Sequence, residues 1–326
     1  MLLSAADPKA IEDAAERLVV GELVAFPTET VYGLGARADS AAAVAKVFQT
    51  KGRPANHPLI VHVADAGQID VFAAAVPAFA RRLVEAFWPG PLTLILPRLP
   101  SIGAEAAGHQ NSIGLRCPAH PVAQALLREA GARGVPGVAA PSANRFGRIS
   151  PTCAAHVVSE FGDAVTVLDG GDSSIGIESA IVDCSRGRPV LLRPGMLTRA
   201  KIEAAAGEPL HVADAGAPRA AGTLAAHYAP EARLRLMPSA MLHTALQVLG
   251  EPPMKLAVYS RGSMPAAAHG IRHRRMPSRP DQVAHELFAV LREFDAEGMQ
   301  LIWVEAPPEQ PEWDGVRDRL TRAAAA

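Results

Sequence analysis

The fold turns on one stretch, LVAFPTETVYGLGARADSAAAVAKVFQTKGRPANHPLIVHV, residues 23–63. It opens on the apolar run Leu23-Val24-Ala25-Phe26, stopped by Pro27, which has no amide to give a strand ladder. A polar, glycine-bearing loop follows, then a helical stretch from Ala41 to Lys51, then a second apolar run, Leu59-Ile60-Val61-His62-Val63. Strand, polar loop, helix, strand is the order of an α/β layer. Upstream, Asp7-Pro8 is a helix start, and Ile11, Ala14, Ala15, Leu18 and Val19 recur at helical spacing, so a helix is expected over residues 8–20. Downstream, helices are expected over 66–75, 77–87 and 121–131 and after Pro151. Strands are expected near 92–97, 112–116, 135–140, 165–169, 179–183 and 189–192. The run of late strands predicts a mixed sheet within an α/β domain covering residues 1–206.

From Gly207 to Pro230 the periodicity stops, and Gly207, Pro209, Gly216, Pro218, Gly222 and Pro230 punctuate the text. A loop this long inside a folded protein is a lid or a domain connector, and residues 207–231 are read as linker and lid. Beyond it, strands near 233–236, 255–259 and 300–304 alternate with helices near 239–249, 281–296 and 312–325, predicting a smaller α/β domain over 232–326. A length of 326 residues agrees with two domains.

Charge removes several function classes. The 32 Lys and Arg balance 33 Asp and Glu, with 19 of each sign up to residue 206, so neither domain has the excess of a nucleic-acid tail. The one basic run, Arg272-His273-Arg274-Arg275, reads as a solvated surface loop. No apolar run reaches the roughly 18 residues of a membrane span, and the first residues carry no signal-like apolar core, so no membrane partner and a cytoplasmic location are expected. Cys117, Cys153 and Cys184 form no CxxC pair and are expected to be buried apolar residues, with no protein-held metal. Walker A, GxGxxG, HExxH and GxSxG patterns are absent.

The chemistry-bearing residues fall in three clusters. In the first, Pro27 to Gly35 precedes Lys51-Gly52-Arg53-Pro54-Ala55-Asn56-His57-Pro58. Two cations at i and i+2 on a helix end suit a polyphosphate or a carboxylate, or simply favour the helix dipole. Only five of the 32 cations are lysines, which makes Lys51 in this setting less arbitrary. His62 places a polar ring in an otherwise aliphatic strand. The second cluster is Pro141-Ser142-Ala143-Asn144 with Ser150-Pro151-Thr152, small polar groups after an apolar strand; this is either a ligand-binding strand end or an ordinary polar turn. The third is Gly176-Ile177-Glu178-Ser179-Ala180-Ile181-Val182-Asp183 with Leu192-Arg193-Pro194-Gly195.

Taken in order, PTETVYGLG, KGRP with NHPLIVHV, PSAN with SPT, GIESAIVD and LRPG resemble the YrdC-type threonylcarbamoyl-AMP synthases over about residues 10–200. His227-Tyr228-Ala229-Pro230 and the smaller domain resemble the long, two-domain form of that family. The resemblance implies an open twisted mixed sheet of YrdC type followed by a Rossmann-like α/β domain. It implies that L-threonine, bicarbonate or CO2, and ATP with Mg2+ yield L-threonylcarbamoyladenylate and pyrophosphate, with no organic cofactor. By motif match, Lys51 and Arg53 are catalytic. Thr30, His62, Arg116, Ser142 and Ser179 hold threonine; Arg53, His57, Ser112, Asn144, Thr152, Arg193 and Tyr228 hold ATP. Downstream tRNA threonylcarbamoyl-transferase proteins are implied as partners, and a direct tRNA contact is weakly implied. His57 stands where the family often has Asn, and Gly222 to Ala226 lacks the basic residues often seen before His-Tyr-Ala-Pro. Two alternatives remain at this level, a double-stranded RNA-binding module, disfavoured by the charge balance, and a carbamoyl-adenylating enzyme with another acceptor, whose usual cysteine-rich segments are absent.

Overall fold

The computed structural model describes residues 1–249, 252, 254–264 and 270–326. The chain divides into one unit of Met1–Phe146 and Ser150–Thr223 and another of Gly147–Ile149 and Leu224–Ala326.

In the first unit β1 (Leu2–Ser4) leads into α1 (Pro8–Val19), which starts where Asp7 accepts the Lys9 amide at 3.0 Å and Pro8 occupies the first turn. The decisive stretch forms β2 (Val24–Phe26), β3 (Gly33–Arg37), α2 (Ala41–Lys51) and β4 (Ile60–His62). Ser40 caps α2, and Gly52 ends it in the left-handed region at φ 63°. Residues 66–75 hold a 3-10 turn and the short α3 (Ile69–Phe72) in place of one longer helix. There follow α4 (Ala78–Phe87), β5 (Leu92–Pro97), β6 (Ser112–Arg116), α5 (Pro121–Ala132), β7 (Val138–Ala139) and α6 (Ala154–Phe161). The unit ends with β8 (Thr166–Asp169), β9 (Ala180–Asp183), β10 (Val190–Arg193), α7 (Arg199–Ala206) and β11 (His211–Val212). The sheet is open and mixed, in the order β1-β8-β2-β3-β7-β4-β6-β5-β9-β10-β11.

Strand alternation divides the sheet into two faces with different tasks. One face carries Ala25, Leu34, Val61, Leu94, Leu115 and Val182, packed with Val44, Val47 and Phe48 of α2, Leu83 of α4 and Ile202 of α7. On the reverse face, Val24, Phe26 and Val138 pack with Leu18 of α1 and Leu126 and Leu127 of α5. Pairing of Val61 with Ala139 puts Ile60 and His62 on that reverse face, and the register carries it to Gly114, Arg116 and Ile95 and, through Thr93, to Ile181. Here the small patch of Ile60, Ile95 and Ile181 meets Leu192, Ala220 and Ala221. Part of the stretch read as linker therefore packs on the sheet of the first unit.

Strand β3 lies inside what the sequence shows as polar loop. Gly35 is required by close approach: a Cβ there would stand 2.7 Å from Val138 Cγ1 and 2.8 Å from the Phe26 ring. Cys117 and Cys184 are buried as expected, whereas Cys153, just before α6, is partly exposed.

The second unit has β12 (Arg233–Met237), α8 (Ser239–Val248), β13 (Leu256–Ser260), β14 (Arg272–Arg275), α9 (Pro280–Ala296), β15 (Leu301–Glu305) and α10 (Asp314–Ala324). Its sheet is all parallel, in the order β12-β15-β13-β14. The basic run read as a surface loop is in fact the edge strand β14. Arg272 pairs with Glu293 of α9 and with Glu297 just past its end, and Arg274 with Glu286 of α9, so acidic groups offset two of its three arginines. Among the described residues no helix is long and apolar enough to cross a membrane.

Replacing Gly35 by Ala is expected to lower unfolding free energy by about 1–3 kcal/mol, because Val138 and Phe26 are core groups with little room to yield; urea denaturation of the variant beside wild type measures it.

Candidate active site

Main-chain hydrogen bonds knit the motif loops of the first unit together. The Tyr32 amide donates to Pro151 O at 2.9 Å, the Ala143 amide to Tyr32 O at 2.8 Å and the Phe146 amide to Lys51 O at 2.8 Å. The Ile175 amide donates to Glu29 O at 2.7 Å, Gly176 to Thr30 O at 3.1 Å and Ser173 to Thr152 O at 2.8 Å. Segments far apart in sequence thus share one small volume beside the polar part of the reverse sheet face.

Lys51 and Arg53 are both buried at the end of α2. The Lys51 Nζ donates to the carbonyls of Ser142, at 2.6 Å, and Asn144, so it clamps the Pro141–Asn144 turn. Burial, then the charge of Arg53, pushes its pKa well below the ordinary lysine value. Arg53 donates to Pro58 O at 2.9 Å and lies over the Phe146 ring at 5.6 Å. His57 packs edge-on against the same ring and is only partly buried; desolvation and then Arg53 lower its pKa.

His62 and Arg116 are direct neighbours across β4 and β6. Burial first, and Arg116 second, push the His62 pKa down to about 3, so the ring is neutral. Arg116 donates to Thr30 Oγ1 at 2.8 Å and to Gly90 O at 3.2 Å, and its Nη2 lies 2.6 Å from Glu29 Oε1 in a buried ion pair. Ser179 shares a 2.8 Å hydrogen bond with Thr93 and receives Arg193 on its carbonyl at 3.1 Å and its hydroxyl at 3.3 Å. Arg193 also donates to Ala221 O at 2.9 Å, tying linker to site. Ser112 lines a cleft with Ile60, Thr93, Ile181 and Ala221. Asn144 and Thr152 are buried in the knitted loops.

The structure thus gathers Thr30, Lys51, Arg53, His57, His62, Ser112, Arg116, Ser142, Asn144, Thr152, Ser179 and Arg193 within the first unit. Tyr228 belongs to the second unit, at φ 62°, with its ring stacked on Phe288 and 5.5 Å from the Arg319 guanidinium. Sequence reading had no role for Glu29, Thr93 or Glu178, which hydrogen-bonds Ser150. Glu29 and Glu178 sit in the quoted motifs, and Thr93 shows only as the polar member of an alternating strand. Among the described residues no cluster of three or more His, Cys, Asp or Glu is placed to hold a metal ion.

His62 is neutral when folded and titrates at an ordinary value when unfolded, so it costs no stability above about pH 6.5 and progressively more as pH falls toward 3. The fall in unfolding free energy between pH 6.5 and 4 is expected to be shallower in His62→Gln, by up to about 1.4 kcal/mol per pH unit; denaturant titrations at several pH values check it.

A family model for Sua5, YciO and YrdC proteins, described as telomere recombination, matches residues 16–195, and one described as threonylcarbamoyl-AMP synthase, C-terminal domain, matches 197–325. The threonylcarbamoyl-AMP synthase of Bacillus subtilis is 38% identical, over 99% of this chain and 94% of its own length. That of Pyrococcus abyssi is also 38% identical, over 96% and 94%. The crystal structure of Pyrococcus abyssi Sua5 complexed with L-threonine superposes with a TM-score of 0.90 at 34% identity, covering 99% of this chain and 97% of that one. The chain belongs to the Sua5, YciO and YrdC family, in the form that carries the threonylcarbamoyl-AMP synthase C-terminal domain.

Proposed function

We propose that this protein joins L-threonine, bicarbonate or CO2, and the Mg2+ complex of ATP into L-threonylcarbamoyladenylate, releasing pyrophosphate. The observation that carries the reading is the gathering of Lys51, Arg53, Arg116 and Arg193 around small hydroxyl groups in one knitted cluster. Buried cations suit a polyphosphate and a carboxylate, and hydroxyls suit a small polar amino acid. The relatives named above support the same reaction.

In this scheme the carbamate of threonine attacks the α-phosphorus, a phosphorus–oxygen bond forms, and the bond to the leaving pyrophosphate breaks. Lys51 and Arg53 meet the charge that develops on the phosphates. Thr30, His62, Arg116, Ser142 and Ser179 seat threonine, with Arg116 on its carboxylate. Arg53, His57, Ser112, Asn144, Thr152, Arg193 and Tyr228 seat the nucleotide. Mg2+ arrives with ATP as part of the substrate. The 207–231 segment serves as a lid that keeps water from the labile mixed anhydride, and the Arg193 bond to Ala221 O is the contact through which it senses the site. The product passes, in the cytoplasm, to proteins that transfer the threonylcarbamoyl group to tRNA adenosine.

Purified protein with Mg2+ and ATP is expected to release pyrophosphate only when threonine and bicarbonate are both present, and mass spectrometry is expected to find threonylcarbamoyl-AMP. Release without threonine would instead favour another acceptor. Lys51→Ala and Arg53→Ala are each expected to lower turnover at least about tenfold, about 1.4 kcal/mol of barrier; wild-type rates in both would remove the assignment of these two residues.

A further inference from the structure

A free amino acid is a zwitterion, and in a water-poor pocket each charge needs an opposite partner. The residues assigned to threonine offer a cation for its carboxylate, Arg116, but only hydroxyls and a neutral imidazole for its ammonium. The structure holds a further group beside them. Glu29, next to Thr30 in the chain, is 6% exposed, and its Oε1 is paired with Arg116 at 2.6 Å. Its second oxygen, Oε2, is buried with no hydrogen-bond partner. A buried acceptor left open costs free energy unless a ligand fills it. Other buried carboxylates near the cluster are engaged: Asp183 has Ser185 on one oxygen and Arg186 on the other, and Glu178 is bonded to Ser150. The Glu29 backbone is itself fixed by the Ile175 amide.

We propose that the Glu29 carboxylate receives the ammonium group of the amino-acid substrate, making the site selective for an α-amino acid over the same acid without its amine. This rests on the reading that threonine is the substrate. Arg116 and Glu29 then form a matched pair, one charge for each end of the zwitterion, and their mutual ion pair holds both at the pocket while it is empty.

The test is calorimetric binding of L-threonine and of (R)-3-hydroxybutyrate, which is threonine without its amine, to the full chain. Wild type is expected to prefer threonine by at least about tenfold, and Glu29→Gln to reduce that preference below about threefold, mainly through weaker threonine binding. Arg116→Lys is expected to weaken both ligands, since both carry the carboxylate. A preference unchanged in Glu29→Gln would overturn the inference, and so would equal weakening of both ligands, which would confine Glu29 to holding Arg116. Wild type that binds neither ligand would remove the threonine reading itself, and this inference with it.

Discussion

A lysine amine with almost no contact with water is the constraint around which the site is arranged. Lys51 ends α2, and its Nζ reaches the carbonyls of Ser142 and Asn144, more than ninety residues away in the chain. A buried amine must find acceptors, and these carbonyls can be offered only if the turn after β7 is folded back onto the end of α2. The Phe146 amide on Lys51 O closes the same junction from the other side. With that junction made, Tyr32 bonds to both neighbouring loops, and Glu29, Thr30 and Thr152 are held against the 173–176 segment. Placement of the Thr30 and Thr152 hydroxyls thus follows from where one buried amine can be satisfied.

The sheet supplies the rest through its period of two. One face carries the larger apolar core with α2, α4 and α7, α1 and α5 pack on part of the other, and His62, Arg116 and Thr93 bring polar groups to that second face. Arg116 is buried with its charge met by Glu29 and a hydrogen bond accepted by Thr30, an arrangement that is costly to break because either ion alone would be an uncompensated group. The second unit stands on different principles, a parallel sheet with aliphatic inner strands and a basic edge whose Arg272 and Arg274 are paired with glutamates on and just past α9.

Much of this was legible in the sequence where local rules govern. The Asp7-Pro8 and Ser40 caps mark two helix starts, and the bounds of α2 match the expected ones because Gly52 ends it in a conformation suited to glycine. Strand β3 was hidden because Gly33 and Gly35 look like loop residues; packing against Phe26 and Val138 explains Gly35, and the Ala140 methyl crowds Gly33. The basic run at 272–275 reads as exposed because its acidic partners lie on and just past α9, further along the chain. The cationic pair was visible from spacing, and the five ordered motifs carried the family. The links between them were not visible, since Thr93 with Ser179 and Glu29 with Arg116 are contacts between distant strands and loops.

The lowered basicity of Lys51 has a consequence for how the site fills. Its pKa is depressed by dehydration and by a neighbouring guanidinium, both of which disfavour the protonated form. A polyanion placed beside it reverses the sign of the local field, and the amine then gains affinity for a proton. An anion seated there offsets both effects at once, so relief of the strained charge and capture of the anion reinforce each other at this one amine.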